Sequence, residues 1–134
     1  MPLLLVVANQ TLAGEALLRT IRGAMSWGAS FHIVVPATAL EDQPLHATLA
    51  RQRLETILAL LRAEGADATG EVGDPDPFRA VSNAVAERHF DEIILSTLPP
   101  GLSRWIDADL PARLRNNFTI PLTHVIVEVT PVAC

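Results

Sequence analysis

Short apolar runs that alternate with stretches of helical periodicity restrict this chain's fold more than any other feature. Leu3-Leu4-Leu5-Val6-Val7-Ala8 is apolar at every position and stops at Asn9. A half-exposed strand would alternate with polar residues, so an unbroken run of this length predicts a strand covered on both faces. After Asn9-Gln10-Thr11, with Thr11 the expected N-cap, Leu17, Leu18, Ile21 and Met25 recur at helical spacing. Gly28 stands where that helix should stop. Phe31 to Val35 reads as the second strand, ended by Pro36, and 37–44 as a polar loop. A long helix follows, with Ala50, Leu54, Ile57, Leu58 and Leu61 on its buried stripe. Arg51, Arg53, Glu55, Arg62 and Glu64 mostly fill its wet side, and Gly65 closes it.

Ala66, Ala68, Gly70 and Val72 alternate with polar residues, which predicts a short strand near a sheet edge. In Gly73-Asp74-Pro75-Asp76-Pro77, Asp76 is the expected N-cap of a third helix with Pro77 at its first position. Phe78, Val81, Ala84 and Val85 carry that helix's buried face, and Ile93-Ile94-Leu95 is the next strand. Residues 96–107 form a loop around Pro99-Pro100-Gly101. A last short helix starts at about 107–111, includes Leu114 and ends near Asn116-Asn117, and the final strand covers about 122–129. The order β-α-β-α-β-α-β-α-β requires crossover connections, hence a parallel sheet with helices on both faces. The expectation is one three-layer α/β/α domain over residues 1–134, with no repeat and no linker.

Composition removes several function classes. The net charge of −5 disfavours a nucleic-acid partner. Every one of the ten basic residues is an arginine, so a Schiff-base or Walker lysine is excluded. The single cysteine, Cys134, has no disulfide partner in the chain, and His32, His46, His89 and His124 lack metal-site spacing. Each histidine reads as a surface or hydrogen-bonded residue. No apolar run is long enough for a bilayer, and the start lacks the basic flank of a signal peptide. These features place the chain in the cytoplasm with no membrane partner.

Four stretches together resemble the universal stress protein family. They are Leu5-Val6-Val7-Ala8-Asn9-Gln10-Thr11, Phe31-His32-Ile33-Val34-Val35-Pro36, Gly73-Asp74-Pro75 with the later Phe90-Asp91-Glu92-Ile93-Ile94-Leu95-Ser96, and Ile120-Pro121-Leu122-Thr123-His124-Val125-Ile126-Val127. They fall in order along nearly the whole chain. The resemblance implies an adenine nucleotide alpha-hydrolase-like sheet of order 3-2-1-4-5. It also implies a ligand crevice at the carboxyl ends of strands one and four. Open α/β sheets place clefts there on physical grounds as well, because loops diverge where the winding reverses. Ala8, Asn9, Gln10 and Thr11 would line the first turn, with Asn9 standing where the family often has an acid. Pro36 and Ala37 would border a base, Gly73 and Asp74 would close the third strand's end, and Ser96, Thr97 and Leu98 would begin a phosphate loop.

ATP-binding members of that family carry a glycine-rich loop whose consecutive N–H groups and following helix N-terminus cradle phosphates. Here the corresponding stretch keeps Gly101 as its one glycine, while Pro99 and Pro100 remove two donors. Asp107 and Asp109 stand near the final helix start, where they suit the helix dipole themselves. At ~4 Å one carboxylate–phosphate repulsion costs about 4 kcal/mol at intermediate dielectric, or roughly three decades of affinity.

Ser103 and Arg104 supply donors in the opposite sense, Arg104 as a bidentate phosphate ligand or else as a solvated loop charge. Trp105 reads as a loop anchor. Asp74 and Asp76 fit turn and cap roles. No catalytic constellation, nucleophile elbow or dinucleotide fingerprint is present. A small enzyme on the related nucleotide-transferring scaffold would need a basic or nucleophilic cluster that the chain does not show.

The expected function is therefore a non-catalytic universal-stress-type module in stress response or regulation. It would work through a homodimer or a protein partner, without ordinary ATP binding. The last strand suits association: Val125, Val127 and Val129 share a face, and Ile126 adds to a chain end expected at a sheet edge. The alternative is an adenine-nucleotide binder, for ATP or AMP, that uses Ser103 and Arg104 in a non-standard loop.

Overall fold

The computed structural model of the chain describes residues 2–9, 11–12, 14–37, 46–99 and 109–127, the side chains of residues 46 and 47 excepted. Five strands form one parallel sheet: β1 (Leu3–Val7), β2 (Ser30–Pro36), β3 (Ala68–Gly73), β4 (Glu92–Thr97) and β5 (Leu122–Ile126). Their spatial order is β3-β2-β1-β4-β5, as the resemblance implies, and all are parallel, as the alternating pattern predicts. Four helices stand among the described residues: α1 (Glu15–Met25), α2 (His46–Ala63), α3 (Pro77–Glu87) and α4 (Leu110–Asn117).

The central strand explains why its sequence does not alternate. Leu4, Val6 and Ala8 face a core shared with Leu17 and Ile21 of α1 and with Ala50, Leu54 and Leu61 of α2. Leu5 and Val7 face the opposite core, built with Ala80, Val81 and Ala84 of α3 and Leu110 and Leu114 of α4. Both rows are 1 % exposed or less. At about 25 cal/mol per Å2 of apolar surface, each such side chain contributes about 1.5–3 kcal/mol, and both faces of β1 add to the total.

The helix stops follow from backbone chemistry. Gly28 and Gly65 adopt φ of +88° and +93°, a region in which a Cβ would be strained, so each helix ends where only glycine turns freely. Asp76 caps α3 by accepting the Phe78 N–H at 3.0 Å, and Pro77 opens the helix. The start of α1 differs from expectation. Its N-cap is Gly14, which makes no side-chain cap bond, and Thr11 lies outside the helix. The third strand also starts later, at Ala68, because Gly65 and Ala66 complete the turn after α2 through bonds to Arg62 and Leu61 carbonyls.

Register aligns the carboxyl ends of the central strands. Val7 pairs with Val34 on one side and with Leu95 on the other. At the far edges Gly73 pairs with Pro36, and Ile126 with Thr97. No helix among the described residues is long and apolar enough to cross a membrane.

Candidate functional site

The topology singles out one place. β1 and β4 are neighbours, yet the helix that follows β1 packs on one face of the sheet and the helix that follows β4 packs on the other. The two chain segments must therefore part at the strands' carboxyl ends, and a crevice opens at such a reversal. Ala8, Asn9 and Thr11 stand on one side of it, Ser96, Thr97 and Leu98 on the other, and Pro36 and Ala37 at the neighbouring end of β2.

Across the reversal the polar side chains turn to one another. The hydroxyls of Thr11 and Ser96 lie 2.7 Å apart and share a hydrogen bond. Thr11 is 3 % exposed and Ser96 is 1 % exposed, so this bond ties the turn after β1 to the last residues of β4, which runs on through Thr97 where the sequence predicts a loop from 96. A buried hydroxyl without a partner would cost about 1–3 kcal/mol, which holds the pair together. Thr11 thus acts in tertiary structure, where the sequence suggested a local cap.

Asn9 forms a second closure. Its Nδ2 donates to the Pro36 carbonyl at 2.9 Å, and its Oδ1 accepts from an Arg53 guanidinium N–H. The Asn9 amide thereby bridges the ends of β1 and β2, and Arg53 of α2 holds its other side. Arg53 belongs to the group expected on the wet side of α2, as does Arg62, whose Nε donates to the Ala68 carbonyl at 3.0 Å. Both are long side chains whose stems lie along the helix flank while the fork reaches a backbone or amide acceptor. No spacing in the sequence signals the Asn9–Arg53 contact, since 44 residues separate them.

Thr97 forms a third. Its single hydroxyl proton goes to the Leu98 carbonyl at 2.9 Å, so its oxygen accepts from His124 Nε2–H at 2.8 Å. Burial, and then the nearby Arg115 charge, hold the His124 pKa below the ordinary imidazole value. The ring is therefore neutral near pH 7. It fixes the direction in which the chain leaves β4 and links that exit to β5. The pairing of Thr97 with His124 has no local signature either, because it joins two strands through the sheet register.

Of the other expected residues, Ala8 and Ala37 are buried, at 0 % and 6 % exposure, and Leu98 is half-buried. Gly73 ends β3, where its carbonyl accepts the Ala37 N–H at 3.1 Å. Asp74 accepts the Asp76 N–H at 2.9 Å in a turn, while Asp76 caps α3. Gln10, Gly101, Ser103 and Arg104 lie outside the described residues, as do Pro100, Trp105, Asp107, Val129 and Cys134. Asp109, the residue before α4, is exposed and left-handed at φ +61°, and its side chain makes no cap bond.

The last strand is an edge, as expected, but its valine face is not free. Val125 is 9 % exposed, and both Val125 and Val127 pack into the α1-side core. The backbone explains this: β5 pairs in register with β4, which aims alternate residues at α1. Ile126, on the opposite face, is 41 % exposed.

No protein-family model matches the chain, and no curated protein does. Solved structures do. A universal stress protein from Archaeoglobus fulgidus superposes with a TM-score of 0.67 at 15 % identity, covering 95 % of this chain and 98 % of that one. A universal stress protein family protein from Arabidopsis thaliana, crystallised with AMP bound, gives 0.67 at 10 % identity, covering 98 % and 97 %. The chain has the fold of universal stress proteins.

Proposed function

We propose that the chain is a non-catalytic universal-stress-type module of the cytoplasm, acting in stress response or regulation through a second copy of itself or a protein partner, with ordinary ATP binding lost. The observation that carries this reading is the buried Thr11–Ser96 bond, which ties together the two segments that a nucleotide would have to lie between. The Arg53–Asn9–Pro36 bridge supports it at the end where a base would sit. Two further features add to it: the prolines that follow Leu98, and the acidic residue before α4. For association, β5 is the outermost strand on its side among the described residues and can offer its backbone groups to another strand, with Ile126 exposed beside them.

Calorimetric titration with ATP, ADP and AMP tests the nucleotide half. The expected trace is heat of dilution alone, and saturable binding of any of the three would overturn it. Sedimentation across a concentration series tests self-association.

The second reading is adenine-nucleotide binding through Ser103 and Arg104, favoured by the AMP held by the Arabidopsis protein of the same fold. It predicts saturable binding that Arg104→Ala abolishes.

A further inference from the structure

The contacts around the head of α1 close into a ring that runs through the edge strand β5. The Thr11 hydroxyl shares its hydrogen bond with Ser96, and both residues are buried. Ser96 is followed by Thr97, whose carbonyl accepts the Val127 N–H at 2.8 Å. That bond lies one step beyond the Thr97–Ile126 pair, as the last rung between β4 and β5 among the described residues. The Val127 side chain packs into the α1-side core and lies against Gly14. A Cβ on Gly14 would stand 2.8 Å from Val127 Cγ2, closer still to Cγ1, and 3.0 Å from the Thr11 carbonyl oxygen, so only glycine fits there. The Gly14 N–H completes the ring by donating to that Thr11 carbonyl at 2.9 Å.

The members of the ring are anchored unequally. Leu17 and Ile21 fix the body of α1 in the core, and Leu95 fixes β4, each fully buried. His124 bonds the Thr97 hydroxyl and so holds the middle of β5. The end of β5 is held less firmly. Its last rung lies on the outermost strand of that side, and the side chain beside the rung is covered by the Gly14 backbone. If Thr11 parts from Ser96, the turn that carries Gly14 lifts from Val127, and water reaches the rung that Val127 shields. If Val127 leaves first, the same turn loses its support from the sheet. Either break opens the same small group of contacts, which makes them one local unfolding unit.

We propose that the end of β5 and the turn at the head of α1 form one clasp over the crevice, so that the crevice walls part only as the last β4–β5 rung is released. By reciprocity, a chain that pairs along β5 holds the crevice shut, and a ligand that separates Thr11 from Ser96 loosens that edge. The clasp itself is independent of which ligand or partner acts on it.

Amide hydrogen exchange on the full chain tests it. In Ser96→Ala the protection of the Gly14 and Val127 amides is expected to fall several-fold together, while that of residues 33–35 in β2 holds. Val127→Ala, which leaves the ladder bond intact, should lower the protection of Leu12 and Gly14 by a similar factor. In the double variant the two losses should not multiply, because either change already opens the clasp. Unchanged Val127 protection in Ser96→Ala overturns the proposal, as does unchanged Gly14 protection in Val127→Ala. Losses that multiply, or that extend equally to β2, overturn it as well. If Ser96→Ala fails to fold, Thr11→Val breaks the same bond from the other side, and the same outcomes decide.

Discussion

The two edges of the sheet solve the same problem in different ways. An edge strand leaves one row of backbone groups without a ladder partner. β3 is pinned by side chains from its own neighbours: His32 holds Thr69, Arg62 holds the Ala68 carbonyl, and Leu54 of α2 presses against Gly70. β5 is pinned through Thr97, which bonds His124 by its hydroxyl and the Val127 N–H by its carbonyl at 2.8 Å. It leaves Ile126 exposed, whereas the chain covers the inner face of β3 with a whole helix. Among the described residues β3 is thus the covered edge, and β5 the one that leaves a large apolar side chain exposed.

The heaviest blow to that contrast would come at Gly70. A Cβ there would lie 2.5 Å from Leu54 Cδ1 and 2.8 Å from the Ile33 carbonyl oxygen. The side chain can give way but the backbone oxygen cannot, so Gly70→Val should destabilise by about 3 kcal/mol in urea unfolding. A loss well below this would mean that α2 covers β3 loosely.

On the opposite edge, Val125→Ala should cost about 1 kcal/mol by the same measurement, since it removes two methyl groups from the α1-side core. A neutral result would show that β5 is held by its ladder and not by its valines.

Acid separates the edges more finely. His124 has a folded-state pKa below its ordinary value, so below 6.5 the unfolded chain takes up a proton that the folded chain refuses. Its contribution to stability is complete above 6.5 and is lost as pH falls from there through the depressed folded value. In His124→Gln the stability curve over that range should flatten, though His32 will still contribute its own slope of the same sign. Denaturant midpoints measured at steps between pH 7.5 and pH 5 read this directly, and a curve that matches wild type would remove His124 from the account.

The smallest expected change in stability belongs to Ile126→Glu, within about 0.5 kcal/mol because the side chain is exposed. Its effect should appear in sedimentation, as weaker self-association. A wild-type-like oligomer in this variant would send the search for an interface away from β5.

Much of the fold could be read before any coordinates. The unbroken run of β1, the Asp76-Pro77 helix start and the glycines at 28 and 65 each carry a local physical cause, and each appears in place. The start of α1 was not legible, because Thr11 satisfies a cap pattern and an equally good tertiary bond, and the sequence contains no term for the second. The reversal of winding between β1 and β4 was legible in outline, with residues 8–11 and 96–98 expected beside it. Its internal closures were not: the partners of Asn9, Thr11 and Thr97 are 44, 85 and 27 residues away.

From its residues alone the chain determined its class, its strand count, the helix stops at Gly28 and Gly65, the start of α3 and the absence of lysine chemistry, because hydrophobic periodicity, caps and turns act over a few neighbours. Tertiary structure alone decided which polar groups meet, which valines are covered and which histidines are shielded from protons. Those outcomes depend on crossovers that bring distant segments to the same end of a sheet. There a hydroxyl, an amide or an imidazole takes whatever partner the register supplies.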